Sequence, residues 1–287
     1  MKKHGKKRAW LAALAILALL GAGLAFAVWD SSEHPEITEY RVCSDKCPDS
    51  FDGFKIIQLS DLHGADFGGG LVEKVRQQEP DIIALTGDFV TDEDDLDTVR
   101  ALVQELTEIC GVYFVSGNHE FGSQLAGEVR GIMEEAGVTY LGNDFVLIER
   151  DGESIVLAGV EDPLAYADMP SPPELMRQIN EQYPDSYTIL LGHRNYWMTE
   201  YPELRADLIL CGHAHGGLIR LPGVGGLIRL PGVGGLIGTD RSLFPDYDGG
   251  LYENGNYTMI VSRGLGNSVS IPRLFNRPEI VSITLSA

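Results

Sequence analysis

Positive charge is what this 287-residue chain has least of: 22 Lys and Arg stand against 42 Asp and Glu, a net of −20. Five of those 22 lie in the first eight residues, so the remainder carries 42 acids against 17 bases, a net of −25. Such a surface repels other polyanions over a Debye length. With no basic stripe interleaved with aromatics, nucleic acid is excluded as a partner, as is charge-driven adhesion to anionic headgroups. No protein partner is evident. Cysteine is scarce too, at four residues. Cys43 and Cys47 either close a small disulfide loop or remain two thiols. Cys110 and Cys211 flank apolar runs and read as small core residues. None is placed to bias a metal site toward zinc alone. A twin-arginine pair is missing, with only Lys7-Arg8 near the start, which leaves a folded-export route without support.

What is present is a series of five polar patches, each behind a short apolar run. Asp61-Leu62-His63 follows Ile56–Leu59, and Gly87-Asp88 follows Ile82–Leu85. Gly117-Asn118-His119-Glu120, Gly192-His193 and Gly212-His213-Ala214-His215 follow Val112–Val115, Thr188–Leu191 and Leu208–Leu210. Such runs read as buried strands, and the C-terminal ends of strands are where an open α/β sheet gathers its ligands. Two Asp, one Asn and five His should therefore meet on one rim. A single zinc needs three or four protein ligands. This set offers seven or eight, which suits two divalent cations about 3.5–4 Å apart, the clamp used on phosphoesters. Imidazole, carboxylate and amide oxygen together suit Mn, Fe or Zn.

The ordered series Asp-x-His, Gly-Asp, Gly-Asn-His-Glu, Gly-His, Gly-His-x-His resembles the calcineurin-like metallophosphoesterase superfamily, in its small membrane-anchored bacterial branch. Phe51–Phe54, Gly216-Gly217, Tyr247–Tyr252, Ser262–Gly266 and Phe275–Glu279 carry the same likeness, which runs from about Glu39 to the C-terminus. The resemblance implies a first metal held by Asp61, His63 and His215, and a second held by Asn118, His193 and His213, with Asp88 bridging. A carboxylate bridges because it has two oxygens, whereas a neutral imidazole has one lone pair to give. A metal-bridging hydroxide would attack phosphorus, and His119, a non-ligand, would protonate the leaving oxygen. The family often sets an acid three residues after the bridging Asp to orient that histidine. Here the position is Thr91, so Asp92 or Glu120 is expected to serve. Arg194, Arg220 and Arg263 are candidate phosphate contacts. A metallo-β-lactamase-like centre would need a His-x-His-x-Asp-His run, which is absent.

The N-terminus makes a second statement. Lys2, Lys3, Lys6, Lys7 and Arg8 precede an apolar stretch from Ala9 to Trp29, and about 20 such residues span a bilayer. A basic flank stays in the cytoplasm, so residues 1–8 are read as cytoplasmic, 9–29 as a single-pass anchor in the cell membrane and 30–38 as a short stalk. Residues 39–287 are then an extracytoplasmic catalytic domain. The stretch exceeds a normal signal core, which favours a retained anchor over cleavage at Ala25-Phe26-Ala27.

About 250 residues beyond the anchor suit one domain with a large core. Helical patterns over Gly70–Gln78, Leu96–Leu106, Ser123–Ala136 and Pro173–Gln182 alternate with strands, and an Asp151-Gly152 turn joins Phe145–Ile148 to Ile155–Ala158. The resemblance implies two facing mixed sheets flanked by helices, an α/β/β/α sandwich. Residues 216–224 recur in 225–233 without change, a tandem copy that lengthens a loop beside the site at small entropic cost and whose Leu227, Ile228 and Leu230 could form an apolar lip. The expected function is hydrolysis of a phosphomonoester, phosphodiester or pyrophosphate bond, with a lipid-linked or cell-envelope substrate favoured by the anchor. A metal-binding surface protein without strong catalysis is the alternative.

Overall fold

All five apolar runs that lead into the motifs form strands, and these collect in two sheets. The structure, a computed structural model, describes residues 2–165, 169–220, 235–237, 243 and 245–287. The first half runs α1 (Lys2–Glu33), β1 (Glu36–Cys43), β2 (Lys55–Leu59), α2 (Gly69–Gln77), β3 (Ile82–Thr86), α3 (Leu96–Thr107) and β4 (Gly111–Val115). Next come α4 (Asn118–Gly122), α5 (Ala126–Glu135), β5 (Thr139–Tyr140), β6 (Asp144–Arg150), β7 (Glu153–Gly159), α6 (Pro172–Gln182), β8 (Thr188–Leu191), α7 (Trp197–Glu200) and β9 (Leu208–Cys211). The chain ends with β10 (Ile219–Arg220), β11 (Gly235–Ile237), β12 (Gly250–Glu253), β13 (Thr258–Val261) and β14 (Glu279–Ser286).

One sheet has the order β1-β14-β2-β3-β4-β5, the other β12-β13-β9-β8-β7-β6, and β10 with β11 makes a separate two-stranded ribbon. Strands β2 to β5 are parallel, as are β7, β8, β9 and β13. Their inner faces meet in a core that includes Ile56, Leu157, Ile189, Leu210 and Ile283. Helices α2, α3 and α5 cover the outer face of the first sheet through Val75, Val103 and Met133. Leu175, Ile179 and Trp197 cover the second. The layers are helix, sheet, sheet, helix, and strands buried on both faces explain why the sequence showed continuous apolar runs rather than alternation. Local signals agree. Asp151 and Gly152 turn with φ of 51° and 86°, as a type I′ hairpin needs, and Ser171 with Glu174 forms a capping box on α6.

The structure adds detail to three expectations. Of residues 30–38, read as a stalk, all but His34 and Pro35 lie in α1 or β1. Helix α1 runs to Glu33 and β1 opens at Glu36, because residues 36–43 pair in parallel with the last strand, Glu36 opposite Glu279 through Cys43 opposite Ser286. The helix expected over Ser123–Ala136 is α5, which begins at Ala126 because Gln124 takes a left-handed conformation (φ 67°) after α4. Cys43 is exposed, Cys47 is buried, and both are free thiols. The second repeat copy, with Leu227, Ile228 and Leu230, lies outside the described residues.

Leu157, fully buried between the sheets, tests this packing. Leu157→Ala should cost ~2–5 kcal/mol through lost contacts and a residual cavity, read as a lower urea midpoint at unchanged slope. A midpoint equal to that of the parent protein would show that the inner faces are not in contact there.

Candidate metal centre

The ligand-bearing loops leave the strand ends in an unusual backbone state. Asp61, His63, Asp88, His213 and His215 all have positive φ, between 47° and 70°, a region L-residues occupy rarely and at some cost. Cross-loop hydrogen bonds hold them there. Asp61 N–H donates to Gly87 O, His63 N–H to Asp88 O, and Gly266 N–H to Asp61 O, at 2.9, 3.1 and 2.6 Å. Where a glycine leads a motif, closeness requires it. A Cβ on Gly87 would lie 2.6 Å from Gly117 N and 2.8 Å from His193 Nδ1. One on Gly212 would collide with Ser60 and with the Asp61 carboxylate.

Two groups of donor atoms result. In the first, His215 Nε2 is 3.3 Å from Asp61 Oδ1 and 3.2 Å from His63 Nε2. In the second, His193 Nε2 lies 3.0 Å from Asp88 Oδ2 and 3.2 Å from His213 Nδ1. Asp88 Oδ2 is also 3.8 Å from His63 Nε2, so this carboxylate stands between the groups. Four ligands about 2.1 Å from a tetrahedral ion sit about 3.4 Å from one another, and these separations match that edge. His119 joins His63 and Asp88 in a third grouping. Its ring is edge-on to His63 at 4.6 Å, and its main-chain N–H donates to Asp88 Oδ1 at 2.8 Å. Distance alone admits it either as ligand or as acid.

Electrostatics agrees with a cation pocket. Burial works against charge on Asp61 and Asp88, yet the surrounding histidines hold both carboxyls far below the usual range. His63 is pushed down to about 3 by burial and by His215, and His213 to about 3 by burial, His193 and Arg194. Both imidazoles are neutral and free to ligate. His193 is opposite: burial lowers it, but Asp88 and Asp61 outweigh that and raise it to about 10. The positive charge that two buried carboxylates demand is thus carried by a proton where a dication would serve. Asn118 Oδ1 is buried without a hydrogen-bond partner, a costly orphan that a cation would satisfy. The donor set fits divalent metal.

A family model described as calcineurin-like phosphoesterase matches residues 54–217, which contain every strand-end motif above. The chain belongs to that family. As a metallophosphoesterase it is a metal-dependent hydrolase. It is 29% identical to the metallophosphoesterase YkuE of Bacillus subtilis, over all of this chain and 99% of that one. The phosphodiesterase YaeI of Escherichia coli is 27% identical over 97% of this chain and 98% of its own. A transmembrane protein with metallophosphoesterase domain from Bos taurus is 29% identical over 90% of this chain and 59% of its own.

The structure separates the remaining candidates of this phosphoesterase. Neither expected partner orients His119. The Glu120 carboxylate is fully buried and accepts main-chain N–H groups of Asp88, Phe89, Val90 and Gly117 at 3.0, 2.6, 3.3 and 2.7 Å. It welds the Asp88 loop to the Asn118 loop, because short helix α4 turns the side chain back beneath its own start. Asp92 caps the following turn, accepting from Asp94 N–H at 3.0 Å. Thr91 takes the unexpected role: its hydroxyl is 3.1 Å from His63 Nδ1 and fixes that ring. Arg263 is not at the reacting face, because Glu36 and Glu279 hold it at 2.7 and 2.8 Å. Arg220 is committed to Asp248 at 3.2 Å and Gly216 O at 2.7 Å. Arg194 alone of the three reaches the donor groups, with Nη1 3.2 Å from His213 Nε2.

Two residues escaped the sequence reading. Asp162, whose side chain is fully buried, grips Arg194 through both oxygens at 2.5 and 3.2 Å. An acid just past the end of a buried strand, in Glu161-Asp162-Pro163, was the available signal. Asn276 Nδ2 donates to His215 O at 2.7 Å, and nothing in the local sequence marks that contact.

The welding role makes a contrast. Glu120→Ala leaves four buried amides without their acceptor, at ~1–3 kcal/mol each, so thermal unfolding should reveal a loss of at least ~3 kcal/mol along with weakened metal binding. Asp92→Ala should cost about 1 kcal/mol of capping and leave metal content unchanged. A larger effect from Asp92 than from Glu120 would reverse the two assignments.

Proposed function

We propose that the protein is a membrane-tethered phosphoesterase that uses two divalent cations, Mn, Zn or Fe, to hydrolyse a phosphomonoester, phosphodiester or pyrophosphate bond. The observation that carries this reading is the position of Asp88 between two donor groups, each with atoms within 4.8 Å of one another. Asp61, His63 and His215 would hold one cation and Asn118, His193 and His213 the other, with the Asp88 carboxylate between them available to both. Bound there, the cations supply Lewis acidity toward phosphoryl oxygens and acidify water to a usable nucleophile near neutral pH.

The chain's own residues do the rest. His119, backed by His63 and pinned at its main chain by Asp88, hands a proton to the departing oxygen. Arg194 offers a guanidinium to a phosphoryl oxygen, and charge-assisted bonds of that kind are strong and directional. Asp162 limits its rotamers, so little entropy is lost when substrate binds.

Helix α1 supports the tether, since Trp10–Glu33 is long and apolar enough to cross a bilayer. The basic residues ahead of it favour a cytoplasmic N-terminus, with the domain outside and a lipid-linked or envelope substrate within reach. The names of the Escherichia coli and Bos taurus relatives extend to this chain in the same spirit, as a diester bond and a membrane span.

The full chain in detergent should hydrolyse p-nitrophenyl phosphate or its bis-ester with added Mn and lose that activity to a chelator. Two bound metals with no turnover of either ester would instead support the non-catalytic alternative. Asp88→Asn should drop metal content from two equivalents to one or none, because a neutral amide has a single oxygen to share; two equivalents retained would sink the bridging role. His119→Ala should keep both metals and lose about 10²–10⁴ in turnover, most with poor leaving groups. Equal losses for good and poor leaving groups, or lost metal, would show that His119 is not the acid.

A further inference from the structure

The apolar helix does not hang from the domain by a tether; it is clamped to the metal centre. Only His34 and Pro35 lie between α1 and β1. Arg277 Nε and Nη2 donate to the two oxygens of Asp30 at 2.8 Å each. Ser31 is 1% exposed, and its Oγ accepts from Asn276 N–H at 3.4 Å. Pro35 is buried, and its carbonyl accepts from Lys74 Nζ. Asn276 is the junction, because its side chain donates to the main-chain oxygen of His215. Two hydrogen bonds therefore connect the last turns of the helix to a proposed metal ligand.

The same junction carries apolar surface. Among described residues beyond α1, the exposed large hydrophobics are Leu164, Met169, Leu243 and Phe275. Phe275 is 47% exposed, adjoins Asn276, and holds a left-handed φ of 54°. Its neighbour Leu274 bridges to Ile219 of the β10–β11 ribbon, and Ile237 of that ribbon bridges to Leu243, which is 71% exposed. If the helix crosses a bilayer, Asp30 and Ser31 lie at its surface, and so do the residues bonded to them. Charge cannot draw a chain that is net −25 beyond residue 8 to anionic lipid, so contact at that plane must be apolar.

We infer that the clamp between α1 and residues 275–277 holds the metal centre against the bilayer surface, with Phe275 in the lipid, so that the bond cleaved belongs to a lipid headgroup phosphoester. This rests on the phosphoesterase reading of the site. The helix end and the apolar contact thus lie within two hydrogen bonds of His215. A lipid already in the membrane then meets the site without leaving its bilayer, at high effective concentration.

The test uses the full chain reconstituted in phosphatidylcholine vesicles, with two probes of equal leaving group. One is soluble bis(p-nitrophenyl) phosphate and the other a double-chain alkyl p-nitrophenyl phosphodiester embedded in the vesicle. Arg277→Asp should slow the embedded ester by about tenfold or more through lost effective concentration, and leave the soluble ester within about twofold. Adding Asp30→Arg should restore the embedded rate. Equal loss on both probes, no loss on the embedded one, or failure of the parent chain to cleave it while cleaving the soluble ester each overturns the inference. A parent chain that cleaves neither ester, nor p-nitrophenyl phosphate, defeats the phosphoesterase reading itself, and the clamp is then decided by a second measurement. Phe275→Cys in a Cys43→Ser background, labelled with an environment-sensitive dye, should be quenched when the vesicle lipids carry brominated chains. Unquenched emission would place Phe275 in water and end the proposal.

Discussion

Everything at this rim is arranged around one buried carboxylate, Asp88. Its Oδ1 accepts the main-chain N–H of His119, and its Oδ2 faces His193. Its own N–H is held by Glu120. Four loops, from β2, β3, β4 and β8, thus meet on a single side chain and its main chain. A charge of this kind survives burial only when it is paired and hydrogen-bonded. The histidines, the glycines that let them approach and the left-handed backbone are all conditions for that pairing. Removing any of them affects the others through Asp88.

The strain at the site has a scaffold able to bear it. Parallel strands buried on both faces supply the loops, and main-chain bonds such as Leu265 N–H to Ser60 O at 2.9 Å lock those loops from a second sheet edge. Strained φ angles persist where surrounding structure over-determines them. Donor atoms held ready in this way lose little entropy when a ligand arrives, which is the sense in which the protein is built before its metals bind.

The candidate ligands were legible because their position follows from local rules. An apolar run predicts a strand, a glycine-led polar patch predicts its C-terminal end, and α/β topology sends those ends to one rim. The two sheets were legible from the family likeness and the strand count. What was not legible depends on pairings across the chain. Arg263 looked free for phosphate, but its partners Glu36 and Glu279 are 227 and 16 residues away. Glu120 looked like a neighbour of His119 in sequence, yet a helical turn points it underneath, toward the Asp88 loop. The strand within the expected stalk was hidden for the same reason: only the partner strand β14 at the far end of the sequence determines that residues 36–38 are extended and paired.

That pairing has a consequence for how the molecule comes into being. Strand β1 forms its ladder with β14, so the first strand of the domain waits for residues some 240 positions further on. Contacts of such long separation in sequence form late and slowly. The loop after β13 depends on the same closure, because Glu279 N–H donates to Gly264 O at 3.0 Å. During synthesis, therefore, the first sheet is incomplete until β14 has emerged. Until that strand arrives the first sheet stays open, and the site assembles only after it.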